Sequence, residues 1–172
     1  SECLSIRVPV DRFLPSRSQR RVLRKNSDLD LEVAAPRLDE ERLSLYRRHH
    51  ADREVRRGWP STEMGFEEYY ETFCLNAVPT LEFAYRLDDR LVAVAYVGAG
   101  EESLNSIYAF MDPEYVRRSL GVFDVLSEID EARRLGKSYL YLGYYVKGCK
   151  SMEYKANYRP HEILGREGWQ EA

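Results

Sequence analysis

The segment from Gly143 to Leu164, GYYVKGCKSMEYKANYRPHEIL, concentrates residues that can bind a large, flat anion. Aromatic rings offer stacking faces to planar groups, and cations beside them attract negative charge. The alternative is a core strand followed by a loop with exposed lysines, but the density of cations favours binding. The aromatic and basic side chains of the segment are Tyr144, Tyr145, Tyr154, Tyr158, Lys147, Lys150, Lys155 and Arg159.

A second basic segment lies near the start of the chain. Positions 12–25 contain six basic residues and no acidic one. Such a segment suits contacts to a phosphate backbone, because each basic side chain that neutralises a phosphate releases a counterion. A solvated charged face explains the pattern equally well. The six residues are Arg12, Arg17, Arg20, Arg21, Arg24 and Lys25.

The third candidate is DPEYVRRSLGVF, residues 112–123. Arg117 and Arg118 directly precede the most clearly amphipathic stretch of the chain, which predicts a helix over 119–135. Unpaired backbone N–H groups, the positive end of the helix dipole and two guanidinium groups would then meet at an anion. A capped helix with solvated arginines remains the alternative.

Metal and nucleophile chemistry is weakly indicated. His49 and His50 are adjacent, so one helix cannot direct both at a single ion, and His161 stands alone. No metal site is therefore predicted. Cys149 follows Gly148 beside two lysines, a setting that can lower a thiol pKa, but a structural use is favoured.

The composition sets broad limits on the protein. At 172 residues the chain suits one domain, and a net charge of −3 means that anion binding must depend on local clusters. No apolar run approaches a membrane span, and the opening SECLSIRVPV lacks the layout of a signal peptide. Three widely spaced cysteines argue against disulfides and favour a reducing compartment, so we expect a cytoplasmic location. The strand-like start without Met suggests a portion of a longer protein.

Hydrophobic periodicity predicts the elements that position these residues. Strands are expected at 4–10, 29–35, 80–87, 91–97, 103–111, 138–145 and 161–164. Helices are expected after Pro15 and at 39–57, 65–75, 119–135 and 150–157. Short connections within 80–111 predict an antiparallel meander, and helix 119–135 predicts a β-α-β crossover. The fold class is therefore α/β (α+β) with a mixed sheet, and a ligand is expected where strands splay apart at the start of the crossover helix.

The run GYYVKGCKSMEYKANYRPHEIL also resembles the C-terminal signature of the arginyl-tRNA–protein transferases and their bacterial relatives, the aspartate/glutamate leucyltransferases. The similarity extends to SIYAFMDPEYVRRSLGVF (106–123) and to CLSIRVPVDRFLPSRSQRRVLRKN (3–26). Three ordered matches are specific, whereas any one of them would be only suggestive.

The resemblance implies an acyltransferase fold of the GNAT type in residues 27–172. Residues 1–26, a strand plus a basic helix, would be the remnant of an N-terminal region. The implied activity moves an amino acid from aminoacyl-tRNA to the N-terminal amine of proteins that begin with Asp or Glu, which marks them for degradation in the N-degron pathway. The spacing between the front basic segment and the meander is short, as in the compact bacterial members of the family, and this favours leucine over arginine as the transferred amino acid. The implied partners are aminoacyl-tRNA and acidic protein N-termini, with no membrane and no DNA.

Given this implied activity, the chemistry of the side chains suggests roles for individual residues. A proton relay falls to Asp112 or Tyr144. Transfer itself requires no cofactor, although the family's cysteine-rich N-terminal region bears a metal or iron–sulfur cluster, of which Cys3 is the remaining trace. Gly98 stands where the family usually has an aspartate, so activity or specificity can differ here. The residues expected to bind aminoacyl-tRNA are Arg17, Arg20, Arg21, Arg24, Arg117, Arg118, Lys147, Lys150, Tyr154, Lys155 and Arg159.

Two other functions fit parts of the sequence. A coenzyme A-dependent N-acetyltransferase is suggested by RRSLGV, which loosely resembles a pyrophosphate-binding loop but contains only Gly121 of the usual glycine pair. A non-catalytic tRNA-binding module is suggested by Gly98 and by the missing cysteine region.

Overall fold

Residues 3–172 are described by the computed structural model and contain one mixed sheet of eight strands. The first two residues of the predicted segment 1–26 lie outside this range. The strand order is β2-β3-β4-β5-β6-β1-β7-β8. The strands are β1 (Leu4–Pro9), β2 (Leu29–Ala34), β3 (Thr80–Leu87), β4 (Arg90–Ala99), β5 (Ser103–Met111), β6 (Tyr139–Tyr145), β7 (Glu162–Gly165) and β8 (Gly168–Glu171).

The predicted helices are present, with two differences in type. They are α1 (Arg17–Lys25), α2 (Glu40–Arg57), α3 (Phe66–Tyr69) and α4 (Leu120–Arg134). The helix predicted over 65–75 continues after α3 as a π-helical turn, Tyr70–Cys74, and the one predicted over 150–157 is a short 3-10 turn, Glu153–Asn157. A further 3-10 turn, Pro113–Arg118, leads into α4.

The start of α1 follows directly from its sequence. The Ser16 hydroxyl accepts a hydrogen bond from the Gln19 backbone N–H, and the Gln19 side chain accepts one from the Ser16 N–H. This capping box satisfies two donors at the helix end. The helix signal at Pro15-Ser16 is thus confirmed.

The predicted meander is confirmed, and the connection after it creates an opening in the sheet. β3, β4 and β5 pair antiparallel, and β5 then pairs parallel with β6 across the α4 crossover. That parallel pairing covers only Ser103–Asn105 against Tyr139–Tyr141. Beyond it, β5 continues beside β4 and β6 continues beside β1, so the two strands diverge. The expected splay is therefore present between β5 and β6.

The first strand is an inner strand of the sheet. β1 pairs antiparallel with β6 on one side and with β7 on the other. Ile6 and Val8 are fully buried in the main core. Whatever the origin of residues 1–26, the part from Cys3 onward is physically continuous with the rest of the fold. The division at residue 26 stays a prediction.

Two hydrophobic cores lie on opposite faces of the sheet. α4 packs on one face through Leu126, Ile129 and Ala132, the apolar stripe that its periodicity predicts. α2 covers the other face through Leu43 and Tyr46. Successive residues of a strand alternate between the two, because side chains on a strand point to opposite faces. The opening between β5 and β6 thus lies between these two helical layers.

One strand was missed by sequence reasoning. β8 forms a hairpin with β7 through Gly165 and Gly168. Its four residues are too few to show a clear alternation. Its Trp169 ring covers the guanidinium of Arg7, whose carbon lies 4.0 Å from the ring centre.

Candidate functional site

A cleft of about 610 Å³ occupies the region where β5 and β6 diverge; we call it the β5–β6 cleft. Ser106, Ile107 and Tyr108 line it from β5, and Leu142 lines it from β6. It lies where the sequence predicts a ligand, beside the first turns of α4. The other groups around it are the basic end of α2, the 3-10 turn Glu153–Asn157 and two acids of α4.

The basic end of α2 forms one wall of the cleft. Arg53 and Arg57 are one helical turn apart and therefore project from the same side of α2. Neither forms an ion pair with any carboxylate of residues 3–172. An adjoining cavity of about 540 Å³ adds Lys150 and Trp59 to the same two arginines. Arg53 and Arg57 are four residues apart near the end of a predicted helix, and this spacing indicates a shared basic face. The three candidate segments in the sequence, 143–164, 12–25 and 112–123, do not include them.

Tyr154 and Lys155 form the opposite wall, and both belong to the segment 143–164 in which the sequence predicts a binding surface. Both line the β5–β6 cleft, and Lys155 Nζ donates a 2.7 Å hydrogen bond to the carbonyl of Tyr144. Burial lowers the pKa of Lys155. The structure thus brings together Lys150, Tyr154 and Lys155 of the predicted set, whereas Lys147 is exposed on the preceding turn.

Two acidic side chains of α4, Asp124 and Glu128, are buried beside the cleft, and we call them the acid pair. Asp124 lines the cleft, whereas Glu128 accepts a bond from Ser106, which lines it. Asp124 accepts a 2.7 Å hydrogen bond from the Tyr85 hydroxyl. Burial raises the pKa of Asp124 to about 6. Burial, and then repulsion by Asp124, raise the pKa of Glu128 well above its ordinary value. Sequence reasoning missed both residues.

A groove of about 570 Å³ separates α1 from the 3-10 turn Glu153–Asn157. Gln19, Ser119 and Arg159 line it. The basic residues predicted on α1 do not line this groove: they are exposed, and Arg20 Nη1 donates to the carbonyl of Pro15 at 2.6 Å. Arg17, Arg20, Arg21 and Arg24 therefore form an outer charged surface next to Arg159, and their role in tRNA binding stays a prediction.

The two arginines before α4 do not converge on one point as expected. Arg118 donates two hydrogen bonds to the carboxylate of Asp28, at 2.7 and 3.0 Å, and these bonds lower the pKa of Asp28. Arg117 is exposed, and its carbonyl accepts a 2.7 Å bond from Lys25. The guanidinium of Arg118 thus connects α4 to the end of α1, and only Arg117 is left as a cation of this segment open to solvent.

The predicted proton relays have different surroundings. Asp112 is buried, and its carboxylate accepts bonds from Arg90, Arg48 and the backbone of Glu114, at 2.7, 3.1 and 3.1 Å. Burial favours protonation, but these bonds outweigh it and lower the pKa of Asp112. Such contacts are those of a helix-capping ion pair rather than of a base. Tyr144 is 63% exposed and its side chain does not line the cleft, although its backbone carbonyl holds Lys155, which does. The role of both residues as proton relays stays a prediction.

The residues connected with a metal cluster or with the expected aspartate do not form a site of their own in residues 3–172. Cys3 is exposed, Cys74 and Cys149 are partly buried, and all three are free. Residues 3–172 contain no group of three or more His, Cys, Asp or Glu side chains suited to a metal, so these residues do not fit a cluster. A side chain at Gly98 would touch Asn105 and Ile107 without a clash. None of the helices in this range has the length and apolar content needed to cross a bilayer.

Comparison with known proteins agrees with this geometry. Residues 41–165 match the family model described as "Arginine-tRNA-protein transferase, C terminus". An aspartate/glutamate leucyltransferase of Campylobacter jejuni is 39% identical over 164 residues, which cover 95% of this chain and 69% of that protein. The corresponding enzyme of Pseudomonas fluorescens is 40% identical over 172 residues, with 97% of this chain and 70% of that protein covered.

Solved structures share the fold at low sequence identity. L-PGS from Bacillus licheniformis superimposes with a TM-score of 0.62 at 14% identity, covering 98% of this chain and 58% of that one. FemX gives a TM-score of 0.60 at 11% identity, with 88% and 57% covered. The ribosomal-protein-S18-alanine N-acetyltransferase of Escherichia coli gives 0.50 at 16% identity, with 74% and 76% covered. The predicted GNAT-like acyltransferase fold is confirmed.

The family model matches most of the chain, and the leucyltransferases align with nearly all of it. The chain therefore belongs to the family of arginine-tRNA-protein transferases and aspartate/glutamate leucyltransferases, which are transferase enzymes.

Proposed function

We propose that this protein transfers leucine from leucyl-tRNA to the N-terminal α-amine of proteins that begin with Asp or Glu, in the cytoplasm. The observation that carries the proposal is the β5–β6 cleft, which has unpaired cations on its walls and apolar side chains inside. Relatives that are 39–40% identical bear the name aspartate/glutamate leucyltransferase. The cleft supports the binding of an aminoacyl-tRNA end, and the relatives' name supports leucine and an acidic N-terminus as the substrates.

The cleft has the groups that such a substrate needs. Arg53, Arg57 and Lys150 suit the phosphates at the 3′ end of a tRNA, since cations without carboxylate partners are free to neutralise them. The exposed ring of Tyr154, between these cations, suits stacking of a base. Deeper in the cleft, Val125 and Leu142 offer an apolar surface that suits an aliphatic side chain.

The reaction makes few chemical demands on the protein. The unprotonated α-amine of the acceptor attacks the ester carbonyl carbon, a C–N bond forms, and the C–O bond to the ribose breaks. The proton lost by the nitrogen ends on the ribose oxygen. Because the ester is already activated, positioning and stabilisation of charge supply most of the rate. Basic groups at the rim also suit the acidic first side chain of the acceptor.

Arginine is the second candidate donor. The matching family model is described by arginine rather than leucine, and it covers residues 41–165. Both donors share the tRNA end and the ester, so only the amino-acid pocket separates them.

The decisive experiment supplies leucyl-tRNA and arginyl-tRNA together with a peptide that begins with Asp, and weighs the product. A mass increase of one leucyl residue supports the proposal, and an arginyl increase replaces leucine by arginine. A peptide that begins with Ala is the matched control for the acidic terminus. Acetylation of the peptide when acetyl-coenzyme A is supplied, together with binding of coenzyme A in calorimetry, would establish the acetyltransferase instead. Tight tRNA binding without any transfer would leave the non-catalytic module.

A further inference from the structure

The acid pair has no counterion among the residues that the structure describes. Asp124 is 3% exposed and Glu128 is 0% exposed, yet neither forms an ion pair within residues 3–172. Buried acids are normally paired with a cation, because removing a charge from water is expensive. The other fully buried carboxylates of the sheet region follow this rule: Glu82 pairs with Arg42, and Asp112 with Arg90. The acid pair is the exception.

The hydrogen bonds of the acid pair come from two neighbouring hydroxyl groups and from within the pair. Tyr85 donates to Asp124 Oδ1 at 2.7 Å, and Ser106 Oγ donates to Glu128 Oε1 at 3.3 Å. Glu128 Oε2 accepts no bond from any other described residue, and the carboxyl groups of Asp124 and Glu128 are close enough to share a hydrogen bond. A single proton held between them therefore satisfies both groups. Asp124 and Ser106 line the β5–β6 cleft, so Asp124 is the member of the pair that a positively charged ligand can reach.

The protonation of the pair fits a ligand with a single positive charge. Burial raises the pKa of both carboxyl groups, and the charge of Asp124 raises that of Glu128 further. At neutral pH the pair thus tends to keep one proton and carry one negative charge, as neighbouring carboxyl groups do. Among the surrounding titratable groups, Tyr85, Tyr154 and Tyr158 have raised pKa values and stay neutral. The cations Arg53, Arg57 and Lys155 line the same cleft as Asp124, but none of them forms an ion pair with either acid of the pair within residues 3–172.

We infer that Asp124 and Glu128 bind the α-ammonium group of the donor's aminoacyl ester, an inference that rests on the function proposed above. This group is common to all aminoacyl-tRNAs, and only Cα separates its nitrogen from the reacting carbonyl carbon. Asp124 lines the same cleft as Val125 and Leu142, which suit the donor's side chain. The assignment gives the buried acids their counterion and makes the cleft selective for tRNA that carries a free amino acid.

The acceptor's own amine fits the acid pair less well. Its neighbouring Asp or Glu side chain would be repelled by the pair and attracted by Arg53 and Arg57. Its nitrogen must also lose a proton before attack, and a carboxylate that stabilises an ammonium group opposes that loss. The charge distribution therefore places the donor's nitrogen, and not the acceptor's, beside Asp124.

The test compares binding of leucyl-tRNA with binding of N-acetyl-leucyl-tRNA, in which the cation is absent, at about pH 6.5, where an α-amine is protonated. The unaltered protein is expected to bind leucyl-tRNA about tenfold to a hundredfold more tightly, the range of a hydrogen-bonded charge. The double variant Asp124→Asn/Glu128→Gln keeps the shape of both side chains, and we expect it to bind both tRNAs equally, at the acetylated level. Asp130→Asn, an exposed acid on the same helix, is the matched control and should keep the preference.

Two results would overturn the inference. Equal binding of the two tRNAs by the unaltered protein does so without any variant having to fold. If the double variant still prefers leucyl-tRNA to N-acetyl-leucyl-tRNA but no longer turns over, the acid pair acts on the acceptor amine and not on the donor. Failure of the proposed function looks different, because the unaltered protein would then transfer no leucine to the Asp peptide from leucyl-tRNA.

Discussion

The hydroxyl of Tyr85 donates a 2.7 Å hydrogen bond to Oδ1 of Asp124, and thereby connects the middle of β3 to an acid that lines the β5–β6 cleft. Tyr85 is 1% exposed, so its position is fixed by the main core. The bond holds Asp124 against the sheet and favours its charged form. A core side chain thus sets both the place and the charge of a group in the candidate site.

Tyr85→Phe should therefore destabilise the protein in a pH-dependent way. Loss of a donor to a buried carboxylate raises the pKa of Asp124 further, and we expect a loss of about 1–3 kcal/mol at pH 7. Around pH 5 the carboxyl is protonated, and the loss should be smaller. Urea unfolding at the two pH values measures this. Tyr108→Phe removes a hydroxyl that has no carboxylate partner and is the control; equal losses at both pH values would contradict the prediction.

The acid pair should also make stability fall as pH rises. The folded-state pKa of Asp124, about 6, lies above the ordinary value of 3.8 in the unfolded chain. The folded protein thus binds more protons than the unfolded chain between these values, and its free energy of unfolding declines as pH increases through that range. Asp124→Asn/Glu128→Gln removes this decline, so the variant should gain about 1–3 kcal/mol relative to the original between about pH 4 and pH 7.

Unfolding curves of the two proteins across that pH range provide the measurement. Asp130→Asn should follow the original protein throughout, since its carboxylate is 70% exposed. If the free energy of unfolding has the same pH dependence in the double variant and in the original protein, burial does not raise the pKa values of Asp124 and Glu128.

Arg53 and Arg57, which line the cleft and have no ion-pair partner among residues 3–172, should contribute to tRNA affinity through phosphate contacts. Arg53→Gln/Arg57→Gln is expected to weaken binding of leucyl-tRNA and to reduce the dependence of log affinity on log salt by about two, or about one for each lost contact. Filter binding across a salt series measures both. Arg37→Gln removes a cation near β2 that is about half exposed, and it should leave the slope unchanged. An unchanged slope in the double variant would place the tRNA elsewhere.

Much of the fold could be predicted because its signals are local. Alternation in β1, the strand-like runs of β3 and β4, the apolar stripe of α4 and the Ser16–Gln19 capping box all depend on residues within one turn or one strand. The acid pair could not be found in this way. Asp124 and Glu128 look like solvated acids on a helix, and they are buried only because α4 lies over the point where β5 and β6 diverge, which depends on pairing between distant strands.

Whether a cation reaches the cleft also depends on contacts between distant parts of the chain. Tyr154 and Lys155 were identified from a dense local segment and line the cleft, whereas Arg53 and Arg57 reach it from a helix about a hundred residues earlier. Arg118 shows the opposite. The sequence predicts that its guanidinium binds an external anion, but in the structure it forms an ion pair with Asp28 at 2.7 Å. Charge in a sequence predicts binding only after its partners in space are known.

The buried pair between Arg42 and Glu82 should be the largest single polar contribution to stability on the α2 face. Arg42 Nη2 lies 2.6 Å from Glu82 Oε1, and both side chains are essentially unexposed. Arg42→Met leaves a buried carboxylate without its cation, and we expect a loss of about 3–5 kcal/mol. Adding Glu82→Gln should recover part of this, because the uncompensated charge is gone. Urea unfolding of the two single variants and the double variant tests the coupling, and purely additive losses would argue against it.

Gly143 connects backbone conformation to the rim of the cleft. Its φ is +79°, and a Cβ there would lie 3.7 Å from Nζ of Lys155, which bonds the neighbouring carbonyl of Tyr144. Gly143→Ala should lower the free energy of unfolding by about 1–2 kcal/mol, the usual penalty of the left-handed region. Relief of that backbone strain should move the adjacent carbonyl of Tyr144, which holds Lys155, and so weaken leucyl-tRNA binding. Gly136→Ala has the same kind of strain, at φ +69° with nothing within 4 Å, at the far end of α4. It should lose similar stability but keep its affinity, so equal effects of the two variants on binding would show that the rim geometry does not matter.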